Sequence, residues 1–264
     1  MNELFIIKLI LSFFVGGSYT ILSTVAADKF GSKIGGIISG LPSTALFGLF
    51  FIGWTQTAQA SAEATTLIPA SLGISCLFVV TYIYFVKRSL WIALCVAIMV
   101  WGIGVYLLMA SGITSFLISV LFFFVLYTVG YVFVSRIFSI PSANGKPIVY
   151  STGLLVIRGL ISGCIIGLSV IMAKVGGPVL GGLFATFPAM FTSTFLITYM
   201  THGAAFSAAV AKSSLFALVS IVVFAIVARY AFVPFGIFWG SLIALLVSYL
   251  YAYFLYVFVV KKHK

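Results

Sequence analysis

Acidic residues are almost missing from this chain of 264 residues: Asp and Glu together number three, and charged residues of both signs make up 6%. A soluble domain carries about 25% charged residues. A chain that is 63% hydrophobic cannot coat a folded surface with the few polar residues it has. The composition therefore excludes a soluble enzyme, a nucleic-acid-binding protein and a disordered chain. It predicts a polytopic membrane protein whose surroundings are the lipid bilayer.

Residues that carry out catalysis or bind metal ions are also scarce. The two histidines, His202 and His263, have no ligand partner at metal-binding spacing. The three cysteines lie in apolar runs without a CxxC pair, so we interpret Cys76, Cys95 and Cys164 as small core residues. Paired carboxylates and a serine triad are missing as well. The sequence thus predicts no enzyme, no metal and no cofactor.

Long apolar runs occupy most of the chain. A helix needs about 20 apolar residues to cross the hydrocarbon core of a bilayer. The longest polar stretches between the runs are 55–64 and 138–148, which leaves no room for a soluble domain. We predict an all-α bundle with nine spans at residues 4–26, 34–54, 65–86, 89–109, 114–137, 149–172, 178–200, 209–231 and 235–259.

Basic residues predict the orientation of these spans. Nine spans put the two termini on opposite sides of the membrane. The side of the N-terminus receives only Lys8, Lys174 and Arg229. Because basic loops remain in the cytoplasm, we expect an external N-terminus and a cytoplasmic C-terminus in an inner or plasma membrane. The cytoplasmic side then receives Lys29, Lys33, Lys87, Arg88, Arg136, Lys146, Lys212, Lys261, Lys262 and Lys264.

Two stretches of the chain repeat one another. Residues 34–42 read IGGIISGLP and residues 180–188 read LGGLFATFP, at an offset of 146 residues. Further along the chain the offset becomes 148, where Trp91 aligns with Trp239. We therefore predict a 4+1+4 arrangement, with a first repeat in 1–112, a linking helix and loop in 113–147 and a second repeat in 148–264.

The predicted repeat is inverted, because its two copies enter the membrane from opposite sides. Inverted repeats recur in secondary transporters, where one packing can open toward either face. A gene duplication retained for structure alone would leave the same pattern.

The matched prolines are the first candidate site. Pro42 and Pro188 lie near the middle of predicted spans, where proline removes a backbone hydrogen bond. Paired interruptions in two halves indicate a binding site in the middle of the membrane. Ser43 and Thr44 follow the first interruption and make it the more polar one. Ordinary proline kinks, filled by neighbouring helices, are the alternative.

Arg158 is the second candidate, inside the sixth predicted span. An arginine at such a depth costs about 2.5–3.5 kcal/mol on insertion scales, so it should face the bundle interior or a wet cavity. The repeat does not require it, since its counterpart is Ser12. Its planar fork suits carboxylate or phosphate. The alternative is a structural arginine bonded to the carbonyls of a broken helix.

The three acidic residues are Glu3, Asp28 and Glu63, and none lies inside a predicted span. Glu63 suits an external gate or proton acceptor, or simply a helix start stabilised by the dipole. The lack of an intramembrane carboxylate argues against a carboxylate-coupled proton or cation exporter.

The paired Gly/Pro motif resembles the small four-helix GlpM/DUF3147 membrane-protein group. The matching residues are 35–44, 51–53 and 63–66 in the first half, and 182–188 and 211–214 in the second. The resemblance implies two four-helix modules fused through one linking helix. That plan is similar to the drug/metabolite transporter superfamily, although the intramembrane glutamate of its small multidrug members is missing. Similarity of plan does not establish function.

These patterns together favour a secondary transporter or translocator of a small solute or lipid head group. The solute would be anionic if Arg158 binds it. The alternative is a membrane scaffold or assembly factor that transports nothing. Glycine spacings such as Gly159 to Gly163 indicate packing inside the bundle, and a homo-oligomer is left open.

Overall fold

Helices account for nearly all of the structure. The computed structural model describes residues 3–29, 42–138, 151–255 and 257, without the side chains of 26–29, 137 and 255. Within these ranges there is no strand. The elements are α1 (Glu3–Lys29), α2 (Ser43–Thr55), α3 (Ala58–Ala64), α4 (Ile68–Val86), α5 (Leu90–Ala110), α6 (Phe116–Val132), a π-helical turn (Phe133–Ile137), α7 (Thr152–Gly176), α8 (Pro178–Ala185) and α9 (Ala189–Leu255).

The helices are long and apolar enough for a membrane. Six stretches of the described chain could cross one, and Ser43–Thr55 is a shorter apolar helix. Straight, α9 would measure about 100 Å at 1.5 Å per residue, far more than a hydrocarbon core of about 30 Å. It is interrupted at Gly203, with φ of 82°, and at Gly236, with φ of 73°, a conformation that glycine adopts readily. The protein is a membrane-embedded all-α bundle.

Residues 55–64, which the sequence indicates as a polar connection, contain the short helix α3. Four alanines favour the helical conformation. The Thr57 side chain accepts a hydrogen bond from the Ala60 amide at the start of α3 and satisfies one of its free donors. Most of α3 is buried, so this connection belongs to the packed bundle.

Some predicted features lie outside the described residues. They include residues 34–41 of the first Gly/Pro motif, and the basic residues Lys33, Lys146, Lys261, Lys262 and Lys264.

Helix α4 lies at the centre of the bundle and is buried along almost its whole length. Helices α5, α6 and α9 pack around it, as expected for a helix that is apolar on all sides. The Tyr82 hydroxyl lies 2.7 Å from the Ser207 hydroxyl of α9. The Tyr82 ring stacks on that of Phe195, with centroids 4.5 Å apart. One buried hydroxyl pair therefore connects α4, in the first third of the chain, to α9 in the last third.

Helices α1 and α7 approach each other closely through glycine. A Cβ atom added to Gly17 would lie 2.7 Å from the carbonyl oxygen of Gly159, and one added to Gly163 would lie 2.6 Å from that of Phe13. Both obstacles are backbone atoms, which cannot rotate away as a side chain can. Small residues allow this kind of approach between helices in a membrane, so the α1–α7 contact depends on glycine at both positions.

We expect Gly17→Ala and Gly163→Ala each to lower the stability of the bundle. The added methyl group forces the two backbones apart, at a cost of about 1–3 kcal/mol for overpacking. The measurement is the midpoint of thermal unfolding in detergent.

Gly102→Ala is the matched control. Gly102 is exposed on α5, and nothing lies within 4 Å of an added Cβ atom. Alanine favours a helix over glycine by about 1 kcal/mol, so this variant should lose no stability. Equal midpoints for all three variants would contradict the role of the α1–α7 contact.

Candidate functional site

The matched prolines occupy equivalent places in the structure. Pro42 directly precedes α2 and Pro188 directly precedes α9. The Leu46 amide donates to the Pro42 carbonyl over 2.6 Å, and the Thr192 amide donates to the Pro188 carbonyl over 2.9 Å. Each proline therefore stands at a helix start, where its missing amide proton costs nothing. Both helix starts carry the positive end of a helix dipole.

The two helix starts meet at one cavity of about 30 Å³. That volume is enough for about one water molecule. The predicted site residues Pro42, Thr44 and Pro188 line this cavity. Ser43 is buried, with 4% of its surface exposed, but does not line it. The cavity wall consists of Pro42, Thr44, Ala45, Leu72, Ala185, Thr186, Phe187, Pro188, Met190, Phe191 and Ile221.

Buried hydroxyl groups lead from the cavity toward α5. The Thr186 hydroxyl in the cavity wall lies 2.8 Å from the Ser71 hydroxyl of α4. One turn further, the Ser75 hydroxyl donates to the Ser71 carbonyl and accepts a hydrogen bond of 3.2 Å from the Trp101 indole. The Trp101 ring meets Phe187 edge to face. The cavity is thus small but has a polar side, which the sequence patterns did not reveal.

Arg158 is fully enclosed, with 1% of its surface exposed. It lies six residues after the first residue of α7, about 9 Å along the helix. Ser162, one turn later, is also buried, and its hydroxyl lies 3.6 Å from the sulfur of Met190 in the cavity wall. Residues four apart share a helix face. Arg158 therefore faces the bundle interior one turn from a residue that touches the cavity wall, but it does not line the cavity.

Two basic residues that the sequence analysis used only for orientation have defined contacts. The Lys8 ammonium donates to the Trp54 carbonyl at the end of α2 over 2.6 Å. The Arg229 Nη1 atom donates to the Ala62 carbonyl near the end of α3 over 3.1 Å and lies 3.1 Å from the Thr66 hydroxyl. Carbonyls at the end of a helix lack helical partners, and cations there are favourable.

The cysteines do not all fit their interpretation as core residues. Cys76 is buried, but Cys95 and Cys164 are exposed on the outside of the bundle. A lipid-facing surface is as apolar as a core, so position in an apolar run cannot distinguish the two. Among the described residues, no group of three His, Cys, Asp or Glu side chains could hold a metal ion. Glu63 is exposed and accepts a hydrogen bond of 3.2 Å from Gln59.

We expect Arg229→Met to loosen the end of α3. The substitution leaves the Ala62 carbonyl without its charged donor, at a cost of about 1.5–3 kcal/mol for a hydrogen bond to a charged group. Hydrogen exchange should become faster in residues 58–66 and remain unchanged in α5.

Arg88→Met is its control, because the exposed Arg88 guanidinium lies over the Tyr84 ring at 5.6 Å and, within the described part of the chain, donates to no carbonyl at a helix end. Unaltered exchange of 58–66 in the Arg229 variant would show that its contact does not stabilise α3.

Comparison with known proteins identifies one family. A family model described as "Protein of unknown function (DUF3147)" matches residues 9–129 and residues 155–261. No curated protein and no solved structure gives a match to the chain. Since the matched residues make up most of its length, the chain belongs to the DUF3147 family.

Proposed function

We propose that the chain is a secondary transporter or translocator, built as an inverted repeat of nine spans, for a small anionic solute or lipid head group. The first repeat lies in 1–112, the linking helix and loop in 113–147, and the second repeat in 148–264. The observation that carries the proposal is the meeting of the two proline-initiated helix starts, one from each half, at a shared cavity.

Matched side-chain hydrogen bonds support the repeat. Two serines, 146 residues apart, each donate to the carbonyl twelve residues before them. The bonds are Ser61 to Leu49 at 2.6 Å and Ser207 to Phe195 at 3.0 Å. Two further pairs match at the same offset: Thr55 to Phe51 with Thr201 to Ile197, and Ser23 to Thr20 with Ser169 to Ile166. The family-model matches also begin 146 residues apart.

Matched helix interruptions support nine passes. Thr57 precedes α3, and Gly203 interrupts α9 at a position 146 residues later. Arg88 lies between α4 and α5, and Gly236 interrupts α9 at a position 148 residues later. The segments 189–202, 204–235 and 237–255 of α9 then correspond to α2, to α3 with α4, and to α5. Helix α6 has no counterpart and serves as the connector.

The α1–α7 contact has the symmetry that such a repeat requires. At the offset of 146 residues, Gly17 aligns with Gly163, and Phe13 aligns with Gly159. The contact of Gly17 with Gly159 in one half therefore corresponds to the contact of Gly163 with Phe13 in the other. An added Cβ atom would lie 2.7 Å from the carbonyl oxygen in the first contact and 2.6 Å from it in the second. A pseudo-two-fold axis between α1 and α7 would let the halves rock around the cavity, as alternating access requires.

In this proposal each part of the site has a separate task. The helix starts after Pro42 and Pro188 direct positive dipole ends at the solute. The Thr44 hydroxyl in the cavity wall donates a hydrogen bond to it. Arg158 supplies the positive charge for an anionic group once the halves separate, because arginine remains charged even when buried.

A scaffold or assembly factor is the second candidate. The observation that favours it is the size of the cavity, about 30 Å³, since binding sites for small molecules usually measure about 300–1,000 Å³. The two functions differ in whether water ever reaches the cavity from either side.

Accessibility of single cysteines tests the proposal. In a background without Cys76, Cys95 and Cys164, we would place cysteine at position 43, 44 or 158 and add charged, impermeant methanethiosulfonates from each side. We expect labelling at position 44, with the anionic reagent about tenfold faster than the cationic one because of the nearby arginine. Arg158→Gln, combined with Thr44→Cys, should remove that preference.

Cysteines at three other positions serve as controls. Cysteines at the exposed positions 87 and 111, which directly follow α4 and α5, should react. A cysteine at the exposed position 103, within α5, should not react because that surface faces lipid. If positions 43, 44 and 158 remain unlabelled while positions 87 and 111 react, the transport proposal is wrong and the scaffold is favoured. If position 44 is labelled equally fast by both reagents, only the role of Arg158 in binding an anion is contradicted.

A further inference from the structure

An open apolar groove of about 400 Å³ runs along the outside of the α1–α7 pair. Its walls come from 9–14 of α1 and 164–171 of α7. The side chains of Ile10, Phe14 and Leu168 are 50%, 61% and 38% exposed. In a membrane-embedded bundle, such a surface faces hydrocarbon.

A lysine stands at one end of the groove. Lys174 is exposed and lies one helical turn beyond Ile171, which belongs to the groove wall. Its ammonium lies 5.9 Å from the ring centroid of Phe5, one turn before Leu9 of the opposite wall. The groove therefore runs from an apolar middle to the positive charge of Lys174 near the helix ends, which is complementary to an anionic lipid.

We propose that this groove binds one acyl chain of an anionic phospholipid whose phosphate group contacts Lys174. An anionic phospholipid matches this arrangement, because its hydrocarbon chain is followed by a negatively charged phosphate group. A second protein helix fits less well, because helices in membranes approach one another through small residues. Gly17, Gly159 and Gly163 are already used between α1 and α7. Gly167 in the groove wall is buried, and the large side chains of Phe14 and Leu168 project beside it. The site is independent of the transport proposal.

Gly167 makes the groove testable without disturbing the fold. A Cβ atom added there would meet only Leu9 Cδ1, at 3.8 Å, an ordinary contact. Gly167→Leu should therefore fill the groove and leave the α1–α7 contact intact, with an unchanged unfolding midpoint.

The experiment is native mass spectrometry of the delipidated full chain with phosphatidylglycerol or phosphatidylcholine of identical acyl chains. We expect the unmodified chain to bind the anionic lipid more tightly. Lys174→Gln should weaken phosphatidylglycerol binding about fivefold, the effect of one lysine at a lipid surface, and leave phosphatidylcholine binding unchanged. Gly167→Leu should weaken binding of both lipids.

Lys87→Gln is the charge-matched control, because Lys87 is also exposed but follows α4, which does not contribute to the groove. It should retain the preference for the anionic lipid. The proposal is overturned if Lys174→Gln and Gly167→Leu bind both lipids as the unmodified chain does. It is also overturned if the chain is a dimer that Gly167→Leu dissociates, since a second copy then occupies the groove. Neither result depends on cysteine labelling at the cavity.

Discussion

Hydrocarbon offers no hydrogen-bond partner to a backbone group, so every interrupted helix in this bundle must find partners within the protein. Hydroxyl groups supply many of them. Thr65 and Thr66 donate to carbonyls at the end of α3, and Thr186 does so after α8. Cations from distant helices donate hydrogen bonds to carbonyls at two of the breaks. Lys8 does so at the end of α2 and Arg229 at the end of α3. Broken helices are stable here because hydroxyl groups beside the breaks and cations from distant helices both bind the carbonyls at their ends.

This requirement explains why the cavity is small and yet polar on one side. Thr186 satisfies a carbonyl of its own helix and also contacts Ser71 of α4, so the break between α8 and α9 is held against the centre of the bundle. Any separation of the halves has to exchange that contact for another one, and a polar solute or water can provide it. Under the transport proposal, the hydroxyls that stabilise this arrangement would also be suitable ligands for the solute.

The sequence predicts the parts of this arrangement that depend on local chemistry. Pro42 and Pro188 are predicted as interruptions inside spans, and the structure places each directly before a helix, because a proline restricts the backbone of its own segment. Contacts between distant segments could not be predicted in the same way. Lys8 and Trp54 are 46 residues apart, and Arg229 and Ala62 are 167 apart. Nor does the chain reveal how α7 is rotated, which decides whether Arg158 lines the cavity or lies a turn away from it.

The central position of α4 has a consequence for biosynthesis. Its hydroxyl groups enter the membrane long before their partners are synthesised, since Thr186 and Ser207 follow Ser71 and Tyr82 by 115 and 125 residues. Until α9 is made, one face of α4 must contact lipid or a chaperone, and Tyr82 lacks its Ser207 partner. A chain truncated before α9 would therefore retain its early spans and still expose an unfinished core, a feature that membrane quality control can recognise.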